Sequence, residues 1–314
     1  MSVLSKPYFH EEEAAFAHLE AVLWPEGPTC PHCGGVDRIG KIKANVEHRV
    51  RIGLHKCGDC GKQFTVKVGT VFEHGRIPLH KMLQAVYLMS CSKKGISAHQ
   101  LHRILEVQYK TAWFLAHRIR EAMRDGFLPP LGGEGKSVEI DETFIGGLEK
   151  NKHRSKRKHL GTGGAGKEAV FSLVERSGKV RSHHVASVTA ENLAPIVKAQ
   201  IHGESFVNTD EGAVAKSLGR GFDRHGSVNH GAGEYVRGGV HTNTVESFFS
   251  IMKRGINGVY YHVSQQHLKR YLAEFDFRYN NRSALGVEDQ ERAGKALAGI
   301  VGKRLTYRGS SPGE

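Results

Sequence analysis

No run of apolar residues in this 314-residue sequence approaches the ~18 that a membrane-spanning helix needs. The N-terminal stretch MSVLSKPYFHEEEAAFAHLEAVLWPEG has no continuous apolar centre and turns acidic after Pro7, so it does not read as a secretory signal. It reads instead as a short amphipathic helix. From these two absences a cytoplasmic protein is expected, with no membrane partner. Cysteine is scarce, at five residues, and in that reducing compartment it is not expected to form structural disulfides. Negative charge is in short supply too. Asp and Glu total 32 against 45 Lys and Arg, a formal net charge of +13. Such a surface attracts polyanions, nucleic acid first. One motif lacks its last residue. GTGGAGK (Gly161 to Lys167) follows the phosphate-loop pattern, but Glu168 stands where Ser or Thr is needed. A basic run precedes it and a strand-like segment follows, the reverse of strand, loop and helix, so no nucleotide is expected there.

Four of the cysteines form two C-x-x-C pairs, Cys30 with Cys33 and Cys57 with Cys60, each followed directly by glycine. The two-residue gap lets one tight turn aim both sulfurs at one ion, and the glycine accepts the positive φ such a turn often needs. Two such turns complete a tetrahedral structural Zn²⁺ site with no position left for water. His32 is surplus to that set. Cys91 ends an apolar helical pattern and is expected in the core.

From Leu79 to Met123 the pattern is helical. Ser97 followed by Gln100 reads as a capping box opening a short helix, with Ala98, Leu101, Ile104 and Leu105 inward. After a brief turn, KTAWFLAHRIREAMRD places Ala112, Leu115, Ala116, Ile119 and Met123 on one face. Lys110, Thr111, Phe114, His117 and Arg118 fall on the other. Two helices and a short turn, the second helix basic, read as a helix-turn-helix-like DNA-binding segment, against the plainer alternative of a helical hairpin with a solvated face.

FLPPLGGEGK then reads as a linker, and the period changes. The expected order is three strands, helix, strand, helix, strand, helix. It fits an α/β, RNase-H-like fold of the retroviral-integrase type, in which acids on the first strand, at the end of the fourth and on the late helix converge. The boundaries read as 1–75 for the N-terminal helix and zinc ribbon, 76–128 for the helix-turn-helix-like segment, 134–285 for the catalytic domain and 286–314 for a C-terminal tail. Converging carboxylates repel one another unless hard cations bridge them, and two Mg²⁺ ions (or Mn²⁺) about 4 Å apart serve phosphodiester chemistry. Asp141, Asp210 and Glu246 are candidates, with Glu139, Glu142 and Glu211 as competitors on physical grounds alone. Glu246 can instead serve the N-terminus of its own helix, with Asn243 as cap. The late helix carries an apolar stripe of Val245, Phe248, Phe249, Met252 and Ile256, beside a polar stripe of Glu246, Ser250, Lys253 and Asn257. The run KNKHRSKRKH, with Lys156, Arg157 and Lys158, is a candidate for DNA backbone contact, or a solvated loop. His230 and His241 lie near the third acid in sequence, with DNA contact and ordinary packing both open.

At these residues the chain resembles bacterial insertion-sequence transposases of the ISXO-like type. The motifs are CGDCGKQFTVKVGTVFE, YKTAWFLAHRIREAM, VEIDETFIGG, VNTDEG, VNHGAGEYVRGGVHTNTVESFFSIMKRGINGVYYHVS and RYLAEFDFRYNNR, covering nearly the whole chain. The resemblance selects Asp141 from DET, Asp210 from TDE and Glu246 from TNTVES as the catalytic, metal-holding triad. It also implies that Lys253 grips transposon-end DNA. It implies a metal-dependent enzyme that cuts double-stranded DNA at terminal inverted repeats and joins the ends to target DNA, working on the nucleoid as a homodimer or larger synaptic assembly. The rival reading is a transposase-derived, non-catalytic DNA-binding protein acting as a repressor or architectural factor.

Overall fold

The computed structural model describes residues 2–126, 128–147, 153–157, 164 and 166–306. Of the basic run, Lys158 and the side chain of Lys156 lie outside the described residues, as does most of the GTGGAGK motif. The chain divides into two compact units, Met1–Asp125 with Val287–Glu314, and Gly126–Gly286. No helix among the described residues is long and apolar enough to cross a membrane.

The first unit holds α1 (Glu12–Leu23), a three-stranded antiparallel sheet of β1 (Ile39–Lys41), β2 (His55–Cys57) and β3 (Gln63–Phe64), then α2 (Leu79–Cys91), α3 (Ala98–Leu105) and α4 (Tyr109–Ala122). The C-terminal segment is not a tail. It forms α9 (Asp289–Ala298), which packs on α1, α2 and α4 within this unit. The chain then pairs back along residues 69–71, through Val71 N–H to the Ile300 carbonyl and Gly302 N–H to the Gly69 carbonyl. The ribbon and the helices therefore share one unit with the chain's end.

The helix pair forms largely as its residues dictate. The Ser97 side chain accepts the Gln100 N–H at 3.1 Å, and Leu101 and Leu105 are buried. Glu106, in the left-handed region at φ 52°, turns the chain into α4. Two expectations fail. Ile104 is exposed rather than inward, and His117 is 1% exposed with its ring 4.2 Å from that of Trp113. The second half of α4 is buried on more than one side, Ala116, His117, Ile119, Arg120 and Glu121 included, because α9 and α2 both pack against it. His117 is therefore withdrawn from any surface contact. Cys91 ends α2 half-buried, outside the cysteine cluster.

In the second unit β4 (Ser137–Ile145), β5 (Glu168–Glu175), β6 (Val180–Val185), β7 (Phe206–Thr209) and β8 (Arg224–Ser227) form one sheet ordered β6-β5-β4-β7-β8. The first three strands are antiparallel, and β7 and β8 continue in parallel. The helices are α5 (Ala190–Gln200), α6 (Ala213–Gly219), α7 (Asn243–Gly255) and α8 (Gln265–Asn280). The element order expected from the sequence is the order observed. Strand alternation sorts the core into two layers. Val138, Ile140, Phe171 and Leu173 meet α5 and α6 through Leu193, Val197 and Leu218. Ile145, Val170 and Val174 meet α7 and α8 through Val245, Phe248, Phe249, Met252, Ile256 and Leu272. All five residues of the apolar stripe, four on α7 and Ile256 directly after it, are buried.

The late motif EFDFRYNNR is an anchor for the sheet. Asp276 on α8 accepts the Ser182 N–H and hydroxyl, each at 2.7 Å, and Asn280 bonds both the N–H and the carbonyl of Val180. These side chains satisfy the outer edge of β6, which would otherwise present unpaired backbone groups.

Candidate active site and metal centre

The cysteine pairs build a metal centre from two similar turns. Gly34 and Gly61 take φ of 76° and 74°, and their N–H groups bond the carbonyls of Cys30 and Cys57 at 2.9 and 3.0 Å. Each glycine thus supplies the positive φ that lets its turn close. The four sulfurs all lie within 4.8 Å of one another, with Cys30 to Cys60 at 3.7 Å and Cys33 to Cys57 at 3.6 Å. A tetrahedron of sulfurs each about 2.3 Å from Zn²⁺ has edges of about 3.8 Å, so the set fits the ion. His32 is exposed and outside the set. Cys30, Cys57 and Cys60 belong to a small core of their own, packed with Phe64, Trp24, Ile39 and Val68, while Cys33 is exposed.

The carboxylates are placed by the sheet and α7. In the parallel pairing of β4 with β7, Ser137 faces Phe206, Val138 faces Val207 and Glu139 faces Asn208. Asp141 lies two residues beyond this pairing on β4, and Asp210 directly follows β7. Asp141 Oδ1 accepts the Glu142 N–H at 2.7 Å and Asp210 Oδ1 accepts the Gly212 N–H at 3.0 Å, leaving the second oxygen of each free of these bonds. A Cβ at Gly212 would stand 2.9 Å from the Asp210 carboxylate, so a side chain there would shift that carboxylate. Burial pushes the Asp141 carboxyl up to about 8, and the charges of Asp210, Glu142 and Glu246 add to the shift. Asp141 therefore stands in the field of both other acids. The three carboxylates do not close into a set with all ligand atoms within 4.8 Å, as the cysteines do. A buried acid surrounded by like charges is a group whose ionised form a divalent cation would stabilise, so the donor set fits hard cations.

The competing acids find other tasks. Glu139 is 0% exposed and accepts from Thr244 N–H (2.8 Å), Thr244 Oγ1 (2.8 Å), Val245 N–H (3.0 Å) and Arg176 Nε (2.6 Å). It thereby satisfies the open N-terminal amides of α7, a task the sequence offered to Asn243 and Glu246. Arg176 also donates to the carbonyls of Gly239 and His241, and the His241 ring lies 3.2 Å from Glu139. Glu211 accepts the N–H groups of His230 and Gly231; its own backbone N–H and those two donors hold its carboxyl low. Glu142 is pushed up by burial first and by Asp210 second, so it stays within the acidic field.

Glu246 sits in the first turn of α7, 43% exposed in its side chain. Its Oε1 accepts the Thr242 hydroxyl at 3.1 Å and lies 3.5 Å from His230 Nδ1. His230 thus sits beside the third acid, whereas His241 belongs to the Glu139 hub. Ser250 is half-buried, and Lys253 and Asn257 are exposed, so the polar stripe on α7 faces outward. Because Glu139 fastens the helix that carries Glu246, its loss is expected to be costly. Glu139→Ala leaves Arg176 and two backbone N–H groups without their acceptor. It should lower the unfolding free energy by about 3 to 5 kcal/mol, read by denaturant titration; a change under about 1 kcal/mol would deny it this role.

In the first unit, Lys110, Thr111 and Arg118 line a concavity of about 300 Å³ together with Phe114, His74 and Arg76. The Arg118 guanidinium lies 4.8 Å from the centre of the Phe114 ring. His74 and Arg76 precede α2 and do not belong to the helix pair, so local periodicity did not select them. Arg157 is exposed in the described part of the basic run.

Comparison with known proteins adds a relationship. Residues 130–280 match the ISXO2-like transposase domain, and residues 10–63 match the transposase zinc-ribbon domain. The chain is 33% identical over 281 residues to an uncharacterized protein in transposable element ISH50 of Halobacterium salinarum, an alignment spanning 86% of this chain and 91% of that one.

Proposed function

Since the chain belongs to the ISXO2-like insertion-sequence transposases, we propose that it cuts the ends of its element and joins them to target DNA. The observation that carries this reading is that the buried Asp141 carboxyl feels the charges of Asp210 and Glu246, on chain segments that leave the parallel pair β4 and β7 and enter α7. The sheet order of three antiparallel strands extended by two parallel ones supports an RNase-H-like catalytic domain.

Asp141, Asp210 and Glu246 would hold two Mg²⁺ ions, which when bound supply the charge that activates the attacking oxygen and steadies the leaving one. The protein's own share is position. Asp141 would be held on β4 and Asp210 directly after β7, and the Glu139 cap would hold α7 and with it Glu246. In the first step water attacks the phosphorus at the element's end. The bond to the 3′ oxygen breaks, leaving a 3′-hydroxyl and a 5′-phosphate. In the second step that 3′-hydroxyl attacks a target phosphodiester in line and displaces the target's own 3′ oxygen, so the number of phosphodiester bonds is conserved. No covalent link to the protein is needed. Lys253, exposed two turns along α7 from Glu246, would hold a phosphate of the same strand. Two ends cut and joined together call for at least two copies of the chain.

DNA would be held by the concavity around α4 as well. Lys110→Ala and Arg118→Ala should each weaken duplex binding and lower the slope of log K against log salt by about one. A slope unchanged in both variants would remove that surface from the interface. The reaction is tested with DNA flanking the gene, searched for inverted repeats and offered with Mg²⁺ and a target plasmid. Strand-transfer products are the expected result. Cleavage without joining would indicate a hydrolytic nuclease, and binding without cleavage would leave a DNA-binding protein derived from a transposase.

A further inference from the structure

Beyond Lys253 the helix does not end simply. Residues Ile256–Tyr260 wind into a π-helical turn. Tyr261 then takes φ 58° and ψ −45°, and the His262 N–H bonds the Tyr260 carbonyl at 2.6 Å. This is a γ-turn with positive φ, a rare and strained conformation that an aromatic L-residue seldom adopts. Tyr261 is also 82% exposed, the most exposed aromatic side chain among the described residues. Its ring makes no hydrogen bond and no aromatic contact there.

Strain of this kind persists only where the surroundings impose it. Here the residue before the turn is held hard. The Tyr260 hydroxyl donates to the buried Glu274 at 2.7 Å, its ring lies 4.8 Å from that of Tyr271, and Glu274 is itself paired with the buried Arg278. Val263, two residues past Tyr261, packs on the α7 and α8 core. Tyr260 and Val263 are thus fixed on both sides, and the turn between them presents an unsupported ring to solvent. Packing alone gives no reason for that outcome, since glycine would fit the turn without strain.

The charge around the ring points to its partner. From Ser247 to Ala273 the chain contains no Asp or Glu, while it carries Lys253, Arg254, Lys269 and Arg270. Lys253, Arg254, Asn257, His262 and Lys269 are exposed. An exposed aromatic side chain in a segment that carries exposed cations and no acid matches a single nucleic-acid strand, in which phosphates meet the cations and bases stack on the ring. We propose that Tyr261 is a stacking platform for an unpaired base at the end of the DNA strand held by Lys253. The proposal rests on the reading of Glu246 and Lys253 as contacts of the DNA end.

The test uses full-length protein carrying Asp141→Asn, so that no cleavage intervenes, and two versions of the element-end duplex, one fully paired and one with unpaired terminal bases. Protein with Tyr261 intact should bind the unpaired version about tenfold tighter. Tyr261→Ala should bind both alike, and Tyr261→Phe should keep the preference. Tyr261→Gly, which suits the turn, should lose the preference with a melting temperature equal to or above that of the parent. A 5-iodouracil in the unpaired position should crosslink to Tyr261 on irradiation. No preference in the parent, a preference retained by both Tyr261→Ala and Tyr261→Gly, or a crosslink mapping elsewhere overturns the proposal. Cleavage of the same DNA by the unsubstituted protein in Mg²⁺ reports separately on the catalytic reading.

Discussion

Asp141→Asn is expected to lower Mg²⁺-dependent cleavage of the element end by on the order of 10³-fold or more, while DNA affinity stays within about threefold. Asparagine keeps the size of the side chain and can still accept the Glu142 N–H, so the strand need not move. What it removes is the anionic oxygen. The effect should be as large for Asp210→Asn and Glu246→Gln, since three ligands acting as one unit are not additive. Full activity in any one of these variants would remove that residue from the site.

As a metal ligand, Asp141 would also make the reaction depend on pH. Its carboxyl sits at about 8 in the metal-free fold, chiefly through burial, against about 3.9 in an unfolded chain. The native state therefore holds this proton more tightly than the unfolded state. The stability this contributes is full below about pH 4 and is lost as pH rises through about 8. At neutral pH a cation must displace that proton. Mg²⁺ affinity should then rise about tenfold per pH unit from about pH 6 and level off above about pH 8. Calorimetric titration across that range checks the slope; a flat profile would mean that Asp141 releases no proton to the metal.

The second large effect concerns the cysteines. Removing zinc, or replacing Cys57 with Ser, is expected to unfold the ribbon outright. Besides cysteines, the small core is built from few side chains, among them Phe64, Trp24, Ile39, Val68 and His55. Structural zinc contributes roughly 10 to 16 kcal/mol of apparent binding energy in small domains, more than such a core can replace. Metal analysis should find one zinc per chain, falling to none with Cys57→Ser. Hydrogen exchange should become fast from about Trp24 to Val68 on chelation, with the strands β4 to β7 unchanged. Protection in the ribbon that survives complete removal of zinc would contradict a structural role for the metal.

Features encoded by spacing along one element were the legible ones. The C-x-x-C-G turns, the five-residue apolar stripe and the strand and helix order of the second unit all follow from short-range patterns, and the structure reproduces them. What escaped depends on chain segments far apart in sequence. His117 has a polar side chain at a helical position that looks outward, but it is buried on a helix against which α2 and α9, distant in sequence, both pack. Glu139 and Asp141 share a face of β4, and nothing local separates them. Only the arrival of α7, with its open amides over Glu139, shows which acid is consumed and which remains. His74 and Arg76 join Lys110 and Arg118 because a loop before α2 lies against α4. The strained Tyr261 was invisible for the same reason, since its turn is set by Glu274 and Tyr271 on another helix.

Asp141, Asp210 and Glu246 are proposed to form one metal-dependent phosphoryl-transfer centre. The most direct measurement exchanges a ligand for one that prefers a softer ion. Asp210→Cys should be inactive with Mg²⁺, whose hard charge is poorly served by sulfur, and should recover cleavage when Mn²⁺ replaces it, with Asp210→Ala inactive in both. Equal activity of Asp210→Cys in the two metals, or recovery in Asp210→Ala, would contradict a metal bound at Asp210 and with it the centre.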